Sequence, residues 1–288
     1  MLPIKSSEVD ILEAGEGPLV VLVHSSVSGA RQWRKLIELL ARSHHVRAVN
    51  LFGYGRTPSW VTARSQTLAD QAALIEAVVP EHATDVRLVG HSFGASVAMR
   101  AAAHLGSRVS RLVLLEPNPF YLLRDNGRME AFGEAAGLCD VVKTRGARGE
   151  WSIAAEEFAD YWGGSGTWKA MTPDRRATFA EALRPNFHEW DAVMNETTTL
   201  AAWSAQLPAK TLIVYDTNTA RPIRRVDARC NNLANNSNTA RWTHGSAVSS
   251  RPSESNRCKV PSGLRTPVPM TPEWQPCSTA GRGGLSGP

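Results

Sequence analysis

The run VRLVGHSFGASVAMRAAAHLG, residues 86–106, constrains this chain more than any other stretch. Val86–Val89 is a short apolar run of the kind carried by a strand buried on both faces. Residues 95–105 are alanine-rich, with apolar side chains at helical spacing. Between the two lies Gly90-His91-Ser92-Phe93-Gly94, a G-x-S-x-G pentapeptide. A strand that becomes a helix within so short a turn forces the central serine into a strained backbone and exposes its Oγ. The flanking glycines let the turn approach neighbouring backbone, and the helix N-terminus favours negative charge developing beside it. Ser92 is therefore a candidate nucleophile, and its setting demands an α/β architecture.

The remaining pattern agrees. LVVLV (19–23), VRAVNLF (46–52), RLVLL (111–115) and TLIVY (211–215) are further apolar runs of strand length. QWRKLIELLARS and TLADQAALIEAVV lie between the early ones and carry apolar residues at i, i+3, i+4 and i+7. Strands alternating with helices predict a mostly parallel sheet with helices on both faces. Residues 117–205 interrupt that alternation with helical periodicity and hold five of the nine tryptophans. They read as an inserted helical cap on a core formed by residues 1–116 and 206–224. Most of those tryptophans are expected to pack between helices.

Residues 225–288 differ in composition. They contain no Ile, Phe or Tyr and seven of the seventeen prolines. Such a segment offers little burial against its ordering entropy, so the sequence predicts disorder there. The same segment explains the net charge of +5. It holds eight of the 32 basic and three of the 27 acidic residues, leaving residues 1–224 balanced at 24 of each. No basic stripe marks the folded part, which argues against a nucleic-acid partner. No run of 18 apolar residues occurs and the N-terminus lacks a signal-peptide pattern, so no membrane partner and a cytoplasmic location are expected. Cys139, Cys230, Cys258 and Cys277 have no metal-site or disulfide spacing, and no metal or organic cofactor is implied.

The nucleophile turn in its strand–turn–helix setting resembles the α/β-hydrolase fold family, and the likeness covers residues 7 to about 224. LVVLVHSSVSGARQW resembles the family segment in which His-Gly-x opens the oxyanion loop; here His24-Ser25-Ser26 stands there, with Ser25 in the glycine position. The resemblance implies that the backbone N–H groups of Ser26 and Phe93 form the oxyanion hole, and that His24 is structural. NLFGYGRT (50–57) resembles the family's D-x-x-G-x-G-x-S turn, with Asn50 replacing the acid and Thr57 the serine. For the triad acid, most relatives use G-x-x-D after the penultimate strand. That pattern would fall on Asp216–Thr219, with Thr219 where the acid belongs. Relatives resembling haloalkane dehalogenases take the acid from the preceding strand, a position Glu116 matches. Glu116 is favoured as the orienter of a histidine, and Asp216 is the alternative acid.

The base is harder to place. The family closes with a strand, a Gly-Gly-His turn and a helix, and nothing after residue 224 resembles these. A frameshift accounts for the abrupt end. Codons permitted for Arg241–Asn256, read one base late, can spell Gly-Gly-His-Met-Ala-Pro-Leu-Ser-Arg-Pro, with the histidine codon straddling Thr243 and His244. One of those outcomes is forced, because TGG followed by any threonine codon reads as glycine. On this reading the tail is out of frame, the last strand and helix are missing, and His244 is a doubtful base. His188 in the cap, and His44, His45, His82 and His104, have no placement that recommends them.

The resemblance implies a hydrolase that attacks a small ester or related acyl compound, or a C–C bond, through Ser92. An epoxide hydrolase or dehalogenase would need aspartate in place of Ser92. The rival reading is a non-catalytic ligand-binding protein on a hydrolase scaffold. The implied partner is a small-molecule substrate, and the sequence does not determine the oligomeric state.

Overall fold

The five apolar runs form the centre of one sheet in the computed structural model, which describes residues 4–216, 219–230, 238–243 and 246–249. They become β2 (Leu19–Val23), β3 (His45–Val49), β4 (Val86–His91), β5 (Val109–Leu115) and β6 (Thr211–Asp216). The sequence reading lacks β1 (Ile11–Ala14), whose four residues are too few to show a clear alternation. β7 (Asn238–Thr243) and β8 (Ser246–Ser249) complete the order β1-β3-β2-β4-β5-β6-β7-β8. Pairing is antiparallel only at the two edges, β1 with β3 and β7 with β8. This is the mostly parallel α/β sheet that the pattern predicts.

All five residues of β2 are buried, as a central parallel strand covered on both faces requires. On one face Trp33 and Ile37, the latter from α1 (Arg34–Leu40), pack on Val20, Leu22, Val46 and Ala48. On the other, α2 (Leu68–Val78) and α3 (Phe93–Leu105) cover Val21, Val23, Leu88, Leu112 and Leu114. α2 begins with a reciprocal capping box between Thr67 and Asp70. Arg64 clamps the same carboxylate with two hydrogen bonds of 2.6 and 2.7 Å, so the burial of Asp70 is compensated.

Between β5 and β6 the chain runs through α4 (Tyr121–Asp125), α5 (Met129–Ala147), α6 (Trp151–Gly163), α7 (Thr167–Ala170), α8 (Pro173–Ala182), α9 (Asn186–Met194) and α10 (Leu200–Gln206). Their inward faces, including Leu138, Val142, Trp190, Val193 and Trp203, share one core with Leu112 and Val97. A largely buried ion pair strengthens the join. Arg100 of α3 bonds Glu196 at 2.6 Å while its guanidinium lies 4.6 Å from the centre of the Trp203 ring.

The turn after β3 is held by hydrogen bonds of Asn50 and Thr57. Asn50 accepts from the Ala30 N–H through Oδ1 (2.8 Å) and donates through Nδ2 to Asp10 (2.8 Å). Thr57 donates to the Asn50 carbonyl and accepts from the Asp10 N–H. Asp10 thus supplies, from just before β1, the negative charge that Asn50 lacks. Burial pushes its carboxyl up, but bonds from Arg56 and Asn50 prevail and hold it below the usual range.

After residue 224 the structure departs from the sequence reading. α11 (Arg221–Cys230) continues past Arg225, and β7 pairs parallel with β6, from Leu212↔Asn238 to Asp216↔Trp242. The expectation of a missing last strand is corrected at these residues. Ladder hydrogen bonds come from the backbone, so a polar sequence such as NTARWT can still extend a sheet from an existing edge. The rest of the tail, including Cys258, Cys277 and residues 250–288, lies outside the described residues. Among the described residues no helix is long and apolar enough to cross a membrane.

Candidate active site

β4 delivers Ser92 to the C-terminal edge of the sheet, and α3 begins at the next residue. Ser92 has φ 53° and ψ −118°, a region a non-glycine residue enters only at a cost of about 1–3 kcal/mol. Two contacts fix the turn. The Ser92 N–H donates to the Leu115 carbonyl at 2.8 Å, and its own carbonyl accepts from Ala95 at 2.9 Å. The glycines are required by space: a Cβ on Gly90 would stand 2.3 Å from the Gly94 carbonyl oxygen, and one on Gly94 would stand 2.3 Å from that of His24. The start of α3 is therefore pressed against the loop that follows β2.

That loop carries the other predicted elements. His24 is fully buried, donates from Nδ1 to the Ser25 carbonyl (2.7 Å) and accepts the Leu51 N–H at Nε2 (3.1 Å). Both ring nitrogens are committed to backbone, and burial lowers its pKa to about 4, so it is a neutral brace. Val27 follows in the left-handed region at φ 66°. No hydrogen bond within the described residues occupies the N–H of Ser26 or Phe93. Free donors at a helix start beside a strained serine are suited to receive a developing oxyanion.

The two candidate acids are neighbours. Glu116 follows β5 at φ 50°, next to the residue that anchors Ser92, and its Oε1 accepts the Asp216 N–H at 3.2 Å. Burial works to raise the Glu116 pKa. The nearby His91, the Asp216 N–H and Thr219 together outweigh it and hold the carboxyl below the usual range. Asp216 ends β6 at the same edge. His91, inside the pentapeptide, is a participant that motif reading passes over. Gln32 donates from Nε2 to its Nδ1 (2.9 Å), leaving the ring proton on Nε2, which lies 3.9 Å from Glu116 Oε2. The amide oxygen of Gln32 accepts from both the N–H and the hydroxyl of Ser25. The network links the loop after β2 to the end of β5, where Glu116 stands.

A second cluster joins the same loop to the helical insertion. Ser26 Oγ donates to Glu189 of α9, which also accepts from Asn186 Nδ2 (2.8 Å) and the Tyr54 hydroxyl (2.9 Å). The sequence carried a signal for it. Asn186, Glu189, Trp190 and Val193 stand at i, i+3, i+4 and i+7, which puts a carboxylate on an inward-facing stripe.

Other histidines are engaged elsewhere. His45 meets Glu13 at 2.5 Å and His104 meets Glu76 at 2.8 Å, both partly exposed. His44 sits between Ser43 and Arg87. His188 is half-buried, with its pKa lowered by burial and by Lys143. It lines a crevice of about 390 Å³ with Phe52, Trp60, Trp151, Arg184 and Phe187, to which neither Ser92 nor Glu116 contributes. His244 lies outside the described residues. Among the described residues no group of three or more His, Cys, Asp and Glu is placed to hold a metal.

A model of the alpha/beta hydrolase family matches residues 20–252. The chain belongs to the alpha/beta hydrolase family. The match runs beyond residue 224, where the motif resemblance ends, and takes in β7. The chain is 30% identical over 113 residues to a 2-hydroxy-6-oxo-6-(2'-aminophenyl)hexa-2,4-dienoic acid hydrolase of Metapseudomonas resinovorans, covering 38% of each chain. It is 35% identical over 107 residues to a pimeloyl-[acyl-carrier protein] methyl ester esterase of Aromatoleum aromaticum, covering 37% of this chain and 40% of the relative. Less than half of either relative's length is spanned. Among solved structures, an alpha/beta hydrolase of Sphaerobacter thermophilus superposes with TM-score 0.57 at 22% identity, covering 83% of this chain and 91% of the other. MenH of S. aureus gives 0.61 at 15% identity, covering 82% and 89%. At those identities the structural likeness speaks for the fold.

Proposed function

We propose that this hydrolase acts through Ser92 on small carboxylic esters or related acyl compounds, with C–C bond cleavage next to a carbonyl as the neighbouring possibility. The observation that carries the reading is Ser92 itself, a non-glycine residue at φ 53° at the N-terminus of α3. Ser92 Oγ attacks the carbonyl carbon, and a histidine base takes its proton and passes it to the leaving group. The N–H groups of Ser26 and Phe93 receive the oxyanion, and water then releases the acyl group from Ser92 by the same route. Glu116 orients the base, with Asp216 as the alternative. The helices from 117 to 205 act as a cap that selects the substrate. The two curated relatives above, one named for an ester and one for a dienoic acid, support this range of substrates.

The proposed base belongs to the sequence after β7, outside the described residues. That strand runs parallel to β6 and carries the chain, at Thr243, to the edge where Ser92 stands. His244 comes next in this chain, and in the shifted frame the histidine codon straddles Thr243 and His244. The two sources of a base are separable. A fluorophosphonate probe is expected to label Ser92, in this chain or in the frame-restored one, and to spare Ser92→Ala. Labelling lost in His244→Asn assigns the base to this chain. Labelling gained only when the frame is restored assigns it to the parent gene. A restored chain that binds ester analogues without labelling would instead be a binding protein on this scaffold.

A further inference from the structure

Among the described residues Glu189 is the only carboxylate in its cluster, and none of them brings a cation to it. It is 1% exposed, and its three partners are the Ser26 hydroxyl, the Asn186 amide and the Tyr54 hydroxyl. Burial raises its pKa and those three hydrogen bonds work against the rise. A buried charge without a counter-ion adds little to stability compared with an apolar side chain of similar volume. What such a group supplies is a fixed arrangement of the donors around it.

Those donors belong to the oxyanion loop. Ser26 is bound directly. Tyr54, while donating to Glu189, accepts the Val27 N–H at 2.9 Å, so the same carboxylate orients the group that holds the next peptide. On the other side of Ser26, the Ser25 carbonyl is held by His24 and the Ser25 N–H by Gln32. The core therefore holds the peptide that carries the Ser26 N–H, and a helix of the insertion holds the residue's other end. Val27 at φ 66° stores strain at this point, and without these bonds the loop can relax away from it.

We infer that Glu189 is a positioning residue for the oxyanion hole, acting through Ser26 and Tyr54. The inference rests on the assignment of Ser92 and the Ser26 N–H above. It makes the helical insertion part of the catalytic geometry as well as a wall for the substrate. Glu189→Gln is the direct test, because the amide keeps one acceptor and turns a second donor toward groups that already donate. Ser26→Ala is the milder companion, since it removes the hydroxyl and keeps the catalytic N–H.

Two measurements on the full chain decide it. Hydrogen exchange of the Val27 amide, which Tyr54 holds, is expected to accelerate in Glu189→Gln while amides of β4 and β5 keep their protection. The rate of Ser92 phosphonylation is expected to fall about tenfold or more, less than the hundredfold or greater loss that follows deletion of an oxyanion donor. The double variant Ser26→Ala/Glu189→Gln is expected to lose no more than Glu189→Gln alone, the signature of groups acting as one unit. Unchanged local exchange, a general loss of protection, an unchanged labelling rate or strictly additive losses would each overturn the role. Failure of both the present and the frame-restored chain to label at Ser92 would instead overturn the functional assignment, and with it any role in catalysis for Glu189.

Discussion

His24 illustrates how a residue's chemistry is settled by what surrounds it. It opens the loop after β2 beside the candidate site, yet both ring nitrogens bind backbone and burial keeps it neutral, with a pKa of about 4. The sign of the pH dependence follows. In the unfolded chain His24 takes a proton near pH 6.5, and in the folded chain it resists until about pH 4, so its contribution is complete above 6.5 and is lost as pH falls through that window. At 1.36 kcal/mol per unit, the loss approaches roughly 3 kcal/mol. Urea unfolding of the wild type is expected to show that decline between pH 7 and pH 4, and His24→Gln, which cannot titrate, to show a flatter profile from a lower start. An identical slope in the variant would mean the ring is not held neutral. The placement of His24 was legible from the motif alone. Glu189 was not, because its partner Ser26 is 163 residues away in sequence, and only the inward stripe on α9 hinted that the charge faces the core.

Among elements, those with an apolar signature were readable and those built from backbone pairing were not. β2 and α3 follow directly from LVVLV and from the alanine-rich run, because their burial requires such residues. β7 offers no such pattern, since NTARWT joins the sheet through its ladder with β6. The junction of β4 and α3 depends on shape. Gly94→Ala puts a methyl group 2.3 Å from the His24 carbonyl oxygen and 2.5 Å from that of Val23. Neither carbonyl can move without shifting the end of β2, so the substitution is expected to cost about 3 kcal/mol, at the upper end for overpacking. Because the displaced backbone leads into the loop that carries the proposed oxyanion donor Ser26, labelling of Ser92 is expected to slow more than the stability loss explains. Thermal unfolding and probe kinetics on the same preparation separate the two effects. A variant of normal stability and normal labelling would show that α3 does not press on the loop.

For the molecule as a whole, the open question is what the last strands contribute. β6 would otherwise be an edge, with its backbone donors and acceptors unpaired and its flank open to other chains. β7 pairs along β6 from Leu212 to Asp216, and β8 pairs with β7 in turn, so these two strands cover the β6 edge. Three chains measure that contribution: the present one, one ending at residue 230, and one with the frame restored after about residue 225. The shortened chain is expected to melt roughly 5 °C or more below the present one, since about 1 kcal/mol moves the midpoint of a domain this size by about 2–4 °C. It is also expected to scatter light at lower concentration, because β6 is exposed. If the tail is out of frame, the restored chain gains an apolar strand and a covering helix and melts above both. Equal midpoints for the present and shortened chains would mean that β7 adds nothing to the sheet. A restored chain less stable than the present one would reject the frameshift and leave β7 and β8, as written here, as the proper end of the sheet.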